Sequence, residues 1–461
     1  MKNTNKYQNK HILVLGLAVS GFSAAKLLHT LGAVVTVNDF KDLSGDDRAE
    51  ELEQLGIKIV SGGHPDSLLK EPLDLIVKNP GIPYTNPLIQ KAEEQAIPIV
   101  TDVEVAYDIT ASPIIAITGT NGKTTTTKMI EAILKTKTDS GNVFSVGNIG
   151  TPVSDIAKNS SSEDTLLMET SSFQLMGTVR FKPAIAVFTN IHSAHLDYHG
   201  SRKEYVEAKL NITRNQTEED YLIYNHDQME LTELILSTSK AQLIPFSRKD
   251  RLASGVYLKE NSIFFNQEKI MDVDDIALPG NHNLENALAA IAVAKLRDVK
   301  NEDIQEVLKT FHGVPHRLHF VGEVNGRKFY NDSKATNSLA TINALEGFTN
   351  KVLLIAGGLD RGDNFEDLLP VFRKHVKALF TFGETNQKLS EIGNQAGVSL
   401  VSKNNTVSEC VEAAFNASQE KDVVLLSPAC ASWDAYADYQ ERGQDFINSI
   451  EELKKSSKKG E

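Results

Sequence analysis

Two cysteines, Cys410 and Cys430, are all the sulfur nucleophiles that 461 residues provide. That scarcity excludes a disulfide scaffold and suits a reducing, cytoplasmic compartment. Long apolar runs are missing too. None approaches 18 residues, so no membrane span is expected, and in MKNTNKYQNKHILVLGL the apolar part is only a strand long, unlike a signal peptide. Positive charge is in deficit, with 48 Lys and Arg against 61 Asp and Glu and a net charge of −13. A broad nucleic-acid surface is thereby excluded, and a local basic pocket for a small anion is what remains open. Internal repeats and low-complexity segments are absent as well.

What is present is the composition of an ordinary globular protein, 41% hydrophobic and 24% charged, in a chain long enough for several cores. From residue 11, β-branched runs alternate with helical periods. HILVLGL, VVTVND, IKIV and LDLIV read as strands, SGFSAAKLLHTLG and RAEELEQLG as helices, which is the pattern of parallel βαβ units. A second block opens at PIIAIT, with strands at TLLMET and AIAVFTNI, a long helix at KEYVEAKLNITRNQ, irregular β structure from YLIYNHD to SIFFNQEKIMDV, and a helix at NLENALAAIAVAKL. A third opens near GVPHRLHFVGEVNGRKFYNDS, with VLLIAGG, ALFTFG and VVLLSPA as buried strands. Three successive α/β domains are expected, at 1–109, 110–313 and 314–461. The tail EELKKSSKKGE reads as a helix end with a solvated basic tip.

In ITGTNGKTT, Gly119 and Gly122 let the backbone turn tightly and expose its N–H groups, which together with the start of the next helix form a phosphate cradle. Lys123 would reach the terminal phosphates and Thr124 would offer a hydroxyl to Mg²⁺. Ile117 stands where the strict Walker pattern has glycine, so a tight strand-to-helix turn with a surface lysine stays the bland alternative. Glu169, ending an apolar strand in METSSFQL, can hold Mg²⁺ beside a phosphate. His192, His195 and His199 in TNIHSAHLDYHG lack zinc spacing. Lys209 reads by default as an exposed helix lysine, and Asn281 or Asn283 as a helix cap. YNDSKATN gathers Asp332, Lys334 and Thr336 in a polar loop.

Together these stretches resemble the Mur ligases of bacterial cell-wall synthesis over nearly the whole chain, and the compact ITGTNGKTT is that family's form of the phosphate loop. GLAVSG, DSKATN and SPACASWDAYADYQERG look most like the members that add D-glutamate. The resemblance implies a Rossmann-like N-terminal domain for a UDP-sugar, a central P-loop ATPase domain with a parallel sheet, and a Rossmann-like C-terminal domain for the amino acid. It also implies a monomer that uses ATP and two Mg²⁺ ions to join D-glutamate to UDP-N-acetylmuramoyl-L-alanine through an acyl phosphate. By the same resemblance Gly119, Thr120, Asn121, Gly122, Lys123, Thr124, Thr125, Asn283, Asn286, Arg317 and Asp332 would serve ATP. Thr124, Glu169, His195 and a carbamylated Lys209 would serve the metals, and Lys334 would sit near the acyl phosphate. Thr336, Arg361, Ser432 and Tyr439 would hold D-glutamate, with Arg361 replacing a lysine and Tyr439 a phenylalanine. Val19, Ser20, Asp39, Lys41 and Gly81 would cradle the uridine diphosphate, and Asn148, Ser171 and Gln174 the muramoyl-alanine.

Three other readings stay open at this stage. One is a family member with another amino acid or a folate acceptor, since the phosphate loop is shared with folylpolyglutamate synthases. Another is an NAD-dependent oxidoreductase built on LVLGLAVSG and Asp39, although G-x-x-x-S-G departs from the dinucleotide fingerprint. The third is an ATPase switch that does no chemistry on a second substrate.

Overall fold

A computed structural model describes residues 2–70, 72–138, 141–192 and 194–457. The chain forms two compact units, Met1–Val273 with Glu285–Val307, and Asp274–Leu284 with Leu308–Glu461. The first unit holds two sheets. One contains β1 (His11–Leu15), β2 (Val34–Asn38), β3 (Lys58–Val60), β4 (Leu75–Lys78) and β5 (Ile99–Val100) in the order β3-β2-β1-β4-β5, all parallel. Because helices cover both faces of such a sheet, β1 reads as a continuous apolar run rather than an alternating one.

The second sheet has nine strands: β6 (Ile114–Thr118), β7 (Val143–Gly147), β8 (Thr165–Glu169), β9 (Ile185–Phe188), β10 (Tyr221–Asn225), β11 (Gln242–Ser247), β12 (Val256–Lys259), β13 (Ser262–Phe265) and β14 (Glu268–Asp272). Their order is β14-β13-β12-β11-β10-β9-β6-β8-β7. The stretch expected to be irregular is therefore regular. β10, β11 and β12 extend the parallel sheet, and β12, β13 and β14 finish it as an antiparallel meander. The helix expected over KEYVEAKLNITRNQ is also shorter, Arg202–Leu210. Beyond it the backbone tightens into i−3 bonds at Ile212, Thr213 and Arg214. There Asn211 donates its side-chain amide to the Leu175 carbonyl, and Asn215 to those of Val179 and Phe181, an alternative to helix that asparagine offers.

The second unit carries β15 (His319–Val324), β16 (Arg327–Asn331), β17 (Val352–Gly357), β18 (Val376–Phe382), β19 (Leu400–Lys403) and β20 (Val423–Leu426). The order is β15-β16-β20-β17-β18-β19, parallel except for the β15–β16 hairpin. A final helix, Tyr439–Ser457, packs beside it. Of the expected basic tip, residues 458–461 lie outside the described residues.

One apolar core runs through both sheets of the first unit, from Ile12 and Val14 by way of the helix Asp102–Ile109 to Ala116 and Phe188. A buried carboxylate fastens that helix. Glu104, 1% exposed, accepts the backbone N–H groups of Val179 (2.9 Å), Arg180 (2.8 Å) and Phe181 (3.1 Å). Removing the acceptor leaves the buried Phe181 N–H without a partner and takes the bond from two part-buried donors, which costs more than the bonds contribute net. Glu104→Ala is expected to lower the unfolding free energy by about 3 kcal/mol. Urea unfolding measures it, and an unchanged midpoint would contradict the role given to this carboxylate.

Candidate active site

The polar loops of all three sheets hang from the carboxyl ends of their strands, where ligands bind in open α/β sheets. In the central sheet β6 lies between β8 and β9, and the loop after it contains Gly119 (φ +144°) and Gly122 (φ +81°), both in the region that disfavours side chains. A Cβ on Gly119 would collide with the Thr189 hydroxyl, and one on Gly122 with the Asn286 amide. Neighbouring strand ends clamp the turn. Asn190 accepts from the Asn121 N–H at 2.9 Å and its carbonyl from the Thr120 N–H at 3.0 Å, while Thr189 donates to the Asn121 carbonyl at 2.7 Å. The helix Lys123–Leu134 then starts with no side-chain cap, so its first N–H groups face out as an anion site.

Two lysines converge on one carbonyl there. Lys123 Nζ donates to Gly119 O at 2.9 Å and to Thr120 O at 2.9 Å; Lys209 Nζ donates to Gly119 O at 2.8 Å. Lys209 is not the exposed lysine its surroundings in the sequence suggest, being only 2% exposed. Burial, and next the charge of Lys123, lower its pKa well below the usual lysine value, while Glu169 acts in the opposite sense. Tyr205, one helical turn earlier, lies under its ammonium at 4.9 Å. Glu169, ending β8 and 1% exposed, accepts from Thr124 Oγ1 at 2.7 Å and from Asn148 Nδ2 at 2.7 Å. The described residues contain no cluster of three or more His, Cys, Asp and Glu suited to a metal. One carboxylate beside one hydroxyl at a phosphate cradle nonetheless fits Mg²⁺, which takes few protein ligands and completes its shell with phosphate and water.

The histidine loop divides by role. His195 is exposed, has φ +54°, and its ring lies 5.1 Å from Phe173 and 6.3 Å from Tyr205. His199 is buried, stacked on Phe173, with its Nε2 2.9 Å from Ser172 Oγ. Ser171 and Gln174 form a reciprocal capping box for the short helix Ser172–Met176. Thr125 is buried in the first turn after the loop, and Asn286 accepts from Thr126 Oγ1 at 3.1 Å.

A cavity of about 940 Å³ opens at the ends of the first sheet's strands and brings Asp39, Lys41 and Gly81 together. Asp39 Oδ2 accepts from Leu17 N at 2.7 Å, which holds the first turn closed. Val19 and Ser20, which begin the helix Val19–Thr30, do not line it, but Ser20 Oγ accepts from Asn79, which does, at 3.1 Å. Phe40, Arg48 and His64 also line this cavity and were not anticipated; an aromatic and an arginine after β2, and a histidine after β3, were the available signal.

In the second unit, Asp332, Lys334 and Thr336 follow β16, Arg361 follows β17 and Ser432 follows β20. Lys334 Nζ stands 3.8 Å over the Tyr439 ring and Arg361 lies 4.8 Å over the exposed Trp433. Ser432 is buried. Arg317 is half-buried on the turn before β15. Asn283 is inside the first turn of the helix Asn281–Leu296, donating its side-chain amide to the Pro279 carbonyl at 2.7 Å rather than standing ahead of the helix as a cap.

Asp332 accepts from Ser427 Oγ at 3.0 Å and Leu318 N at 3.1 Å, yet burial raises its pKa from 3.8 to about 7. A raised carboxyl pKa favours the folded state at low pH, and that contribution fades as pH rises from about 4 through 7. Asp332→Asn should therefore gain stability relative to the natural chain between pH 4.5 and 8. Paired thermal midpoints across that range test it, and a constant gap would contradict it.

Comparison with known proteins agrees with this arrangement along the chain. The models for the Mur ligase MurD-like N-terminal domain, the Mur ligase middle domain and the Mur ligase glutamate ligase domain match residues 10–101, 117–294 and 316–430. The UDP-N-acetylmuramoylalanine--D-glutamate ligase of Enterococcus faecalis is 53% identical over 457 residues, covering 99% of this chain and 100% of its own. That of Enterococcus hirae is 52% identical, with 98% of each chain covered. The crystal structure of MurF ligase from Thermotoga maritima in complex with ADP shares the fold at a TM-score of 0.57 and 17% identity, covering 100% of this chain and 98% of that one. The chain belongs to the Mur ligase family.

Proposed function

We propose that this protein is the cytoplasmic ligase that adds D-glutamate to UDP-N-acetylmuramoyl-L-alanine in peptidoglycan precursor synthesis, consuming ATP and releasing ADP and phosphate. One observation carries the reading: an uncapped helix start, two lysines on the Gly119 carbonyl and the Thr124–Glu169 pair stand together at the end of β6. Relatives bearing that activity in their names match over nearly the full chain. Residues 1–109, 110–313 and 314–461 are assigned to the UDP-sugar, ATP and the amino acid.

A carboxylate is a poor electrophile, and phosphorylation gives it a leaving group. A substrate carboxylate oxygen attacks the γ-phosphorus, the bond to ADP breaks, and an acyl phosphate forms. The D-glutamate amine then attacks the carbonyl carbon; phosphate departs and the amine loses a proton. Positioning and charge neutralisation do most of this work. Gly119 to Gly122 with Thr125 line the phosphate cradle, and Lys123 neutralises the phosphate in transfer. Asp332 is assigned to the ribose, Arg317 to phosphate, Asn283 to adenine and Lys334 to the acyl phosphate. Asn286 is likewise assigned to adenine. Thr336, Ser432, Arg361 and Tyr439 hold D-glutamate. Val19, Ser20, Asp39, Lys41 and Gly81 hold the uridine diphosphate, with Asn148, Ser171 and Gln174 along the muramoyl-alanine.

Thr124 and Glu169 would hold one Mg²⁺, and His195 with Lys209 a second. When bound, these ions supply charge neutralisation at the transferring phosphoryl group. Lys209 would serve as a carbamate: its amine adds to CO₂, releases one proton and becomes an anionic ligand. Burial favours the neutral amine that such an addition needs.

Phosphate release from MgATP and UDP-N-acetylmuramoyl-L-alanine, with D-glutamate, L-glutamate, L-lysine and meso-diaminopimelate offered in parallel, tests the reaction. Turnover with D-glutamate alone, and a matching mass gain on the UDP-sugar, is expected; turnover with another amino acid would refute the assignment. ¹³CO₂ should give one carbamate carbon resonance that Lys209→Ala abolishes. That variant should be inactive and partly rescued by a short carboxylic acid, whereas full activity without rescue would return Lys209 to a packing role.

A further inference from the structure

Arg442 lies in SPACASWDAYADYQERG, and the reaction as set out leaves it without a task. It is 0% exposed, the largest fully buried side chain among the described residues. Its acceptors are all neutral oxygens. Nε donates to Ser333 Oγ at 3.0 Å, Nη2 to Ser333 O at 2.7 Å and Nη1 to Gly357 O at 3.4 Å. Burying a guanidinium on neutral partners is costly, and burial lowers its pKa to about 10.

The geometry explains what the guanidinium does there. Ser333 sits between Asp332 and Lys334, and Gly357 ends β17, so one fork ties the loop after β16 to the end of β17. Space around it is tight: a Cβ on Gly358 would approach Arg442 Nη1 to 3.0 Å and collide with the Ala431 carbonyl. Adjacent bonds carry the same fixation outward. Ser333 Oγ donates to Tyr439 O at 2.8 Å, Asn331 Nδ2 to Gly443 O at 2.8 Å and Lys334 N to His316 O at 3.0 Å. A Cβ on Gly443 would collide with the His316 ring, so the residue next to Arg442 has to be glycine for His316 and Arg317 to keep their place.

We propose that Arg442 is a positioning residue for this reaction: its buried fork on Ser333 and Gly357 sets Lys334 and Asp332 in the places from which they act. The inference rests on the ligase reading above. Lysine cannot replace it, because a single ammonium does not reproduce the rigid spread of donors that reaches both loops.

The test compares the natural chain, Arg442→Lys and Ser333→Ala for kcat, for the KM of each substrate and for thermal midpoint. Ser333→Ala removes one acceptor of the fork and keeps the two backbone ones. Arg442→Lys is expected to lose about 100-fold in kcat, the scale of an ångström's misplacement. Its KM for UDP-N-acetylmuramoyl-L-alanine should stay within about twofold, because the residues assigned to that substrate lie in the other unit. Ser333→Ala should show the same split with a kcat loss of about tenfold. A folded Arg442→Lys with natural kcat would overturn the proposal, as would equal losses in kcat and in UDP-sugar affinity, the mark of general structural damage. Should Arg442→Lys fail to fold, Ser333→Ala decides, and an unchanged kcat there overturns it. A natural chain inactive with D-glutamate would sink the ligase reading instead.

Discussion

Everything in the central site follows from the carbonyl of Gly119. It accepts from two ammonium groups, Lys123 at 2.9 Å and Lys209 at 2.8 Å, and can do so only because the turn is left-handed there and has no side chain in the way. Two like charges on one oxygen oppose each other, and that opposition adds to burial in lowering the pKa of Lys209. The pair is a charge arrangement waiting for an anion. A phosphate bound at Lys123 would relieve it, and so would a carbamate on Lys209.

The same logic of buried charge recurs at the structural joints. Glu104 collects three backbone donors and fixes the helix Asp102–Ile109 within the first unit's core. Arg442 spreads its donors over two loops of the second unit. Each buries a charge with hydrogen bonds in place of hydration, Glu104 on three backbone N–H groups with the Arg180 guanidinium 3.4 Å away, and Arg442 on two carbonyls and a hydroxyl. Rigid strands supply the frame, and these charges set the loops on it.

Much of this was legible beforehand because it depends on local pattern. Strands covered on both faces announce themselves as apolar runs, as at IIAIT and TLLME, and the glycines of ITGTNGKTT mark a turn that no other residue makes. What stayed hidden depends on neighbours distant in sequence. Lys209 looks like any helix lysine until Gly119, 90 residues earlier, is placed against it. Short edge strands such as β7 and β19 carry too little periodicity, and β10 to β14 alternate too weakly to show that they continue one sheet. Arg442 had no signal in its own segment, since its partners are Ser333 and Gly357.

In the proposed reaction phosphate is transferred to the substrate's carboxylate rather than to water, and an oxygen label reads that directly. UDP-N-acetylmuramoyl-L-alanine carrying ¹⁸O in its terminal carboxylate would be turned over with MgATP and D-glutamate, and the released phosphate analysed by mass. An acyl phosphate requires one labelled oxygen to leave with each phosphate while its partner stays in the new amide. Phosphate free of label, alongside normal product, would contradict the account.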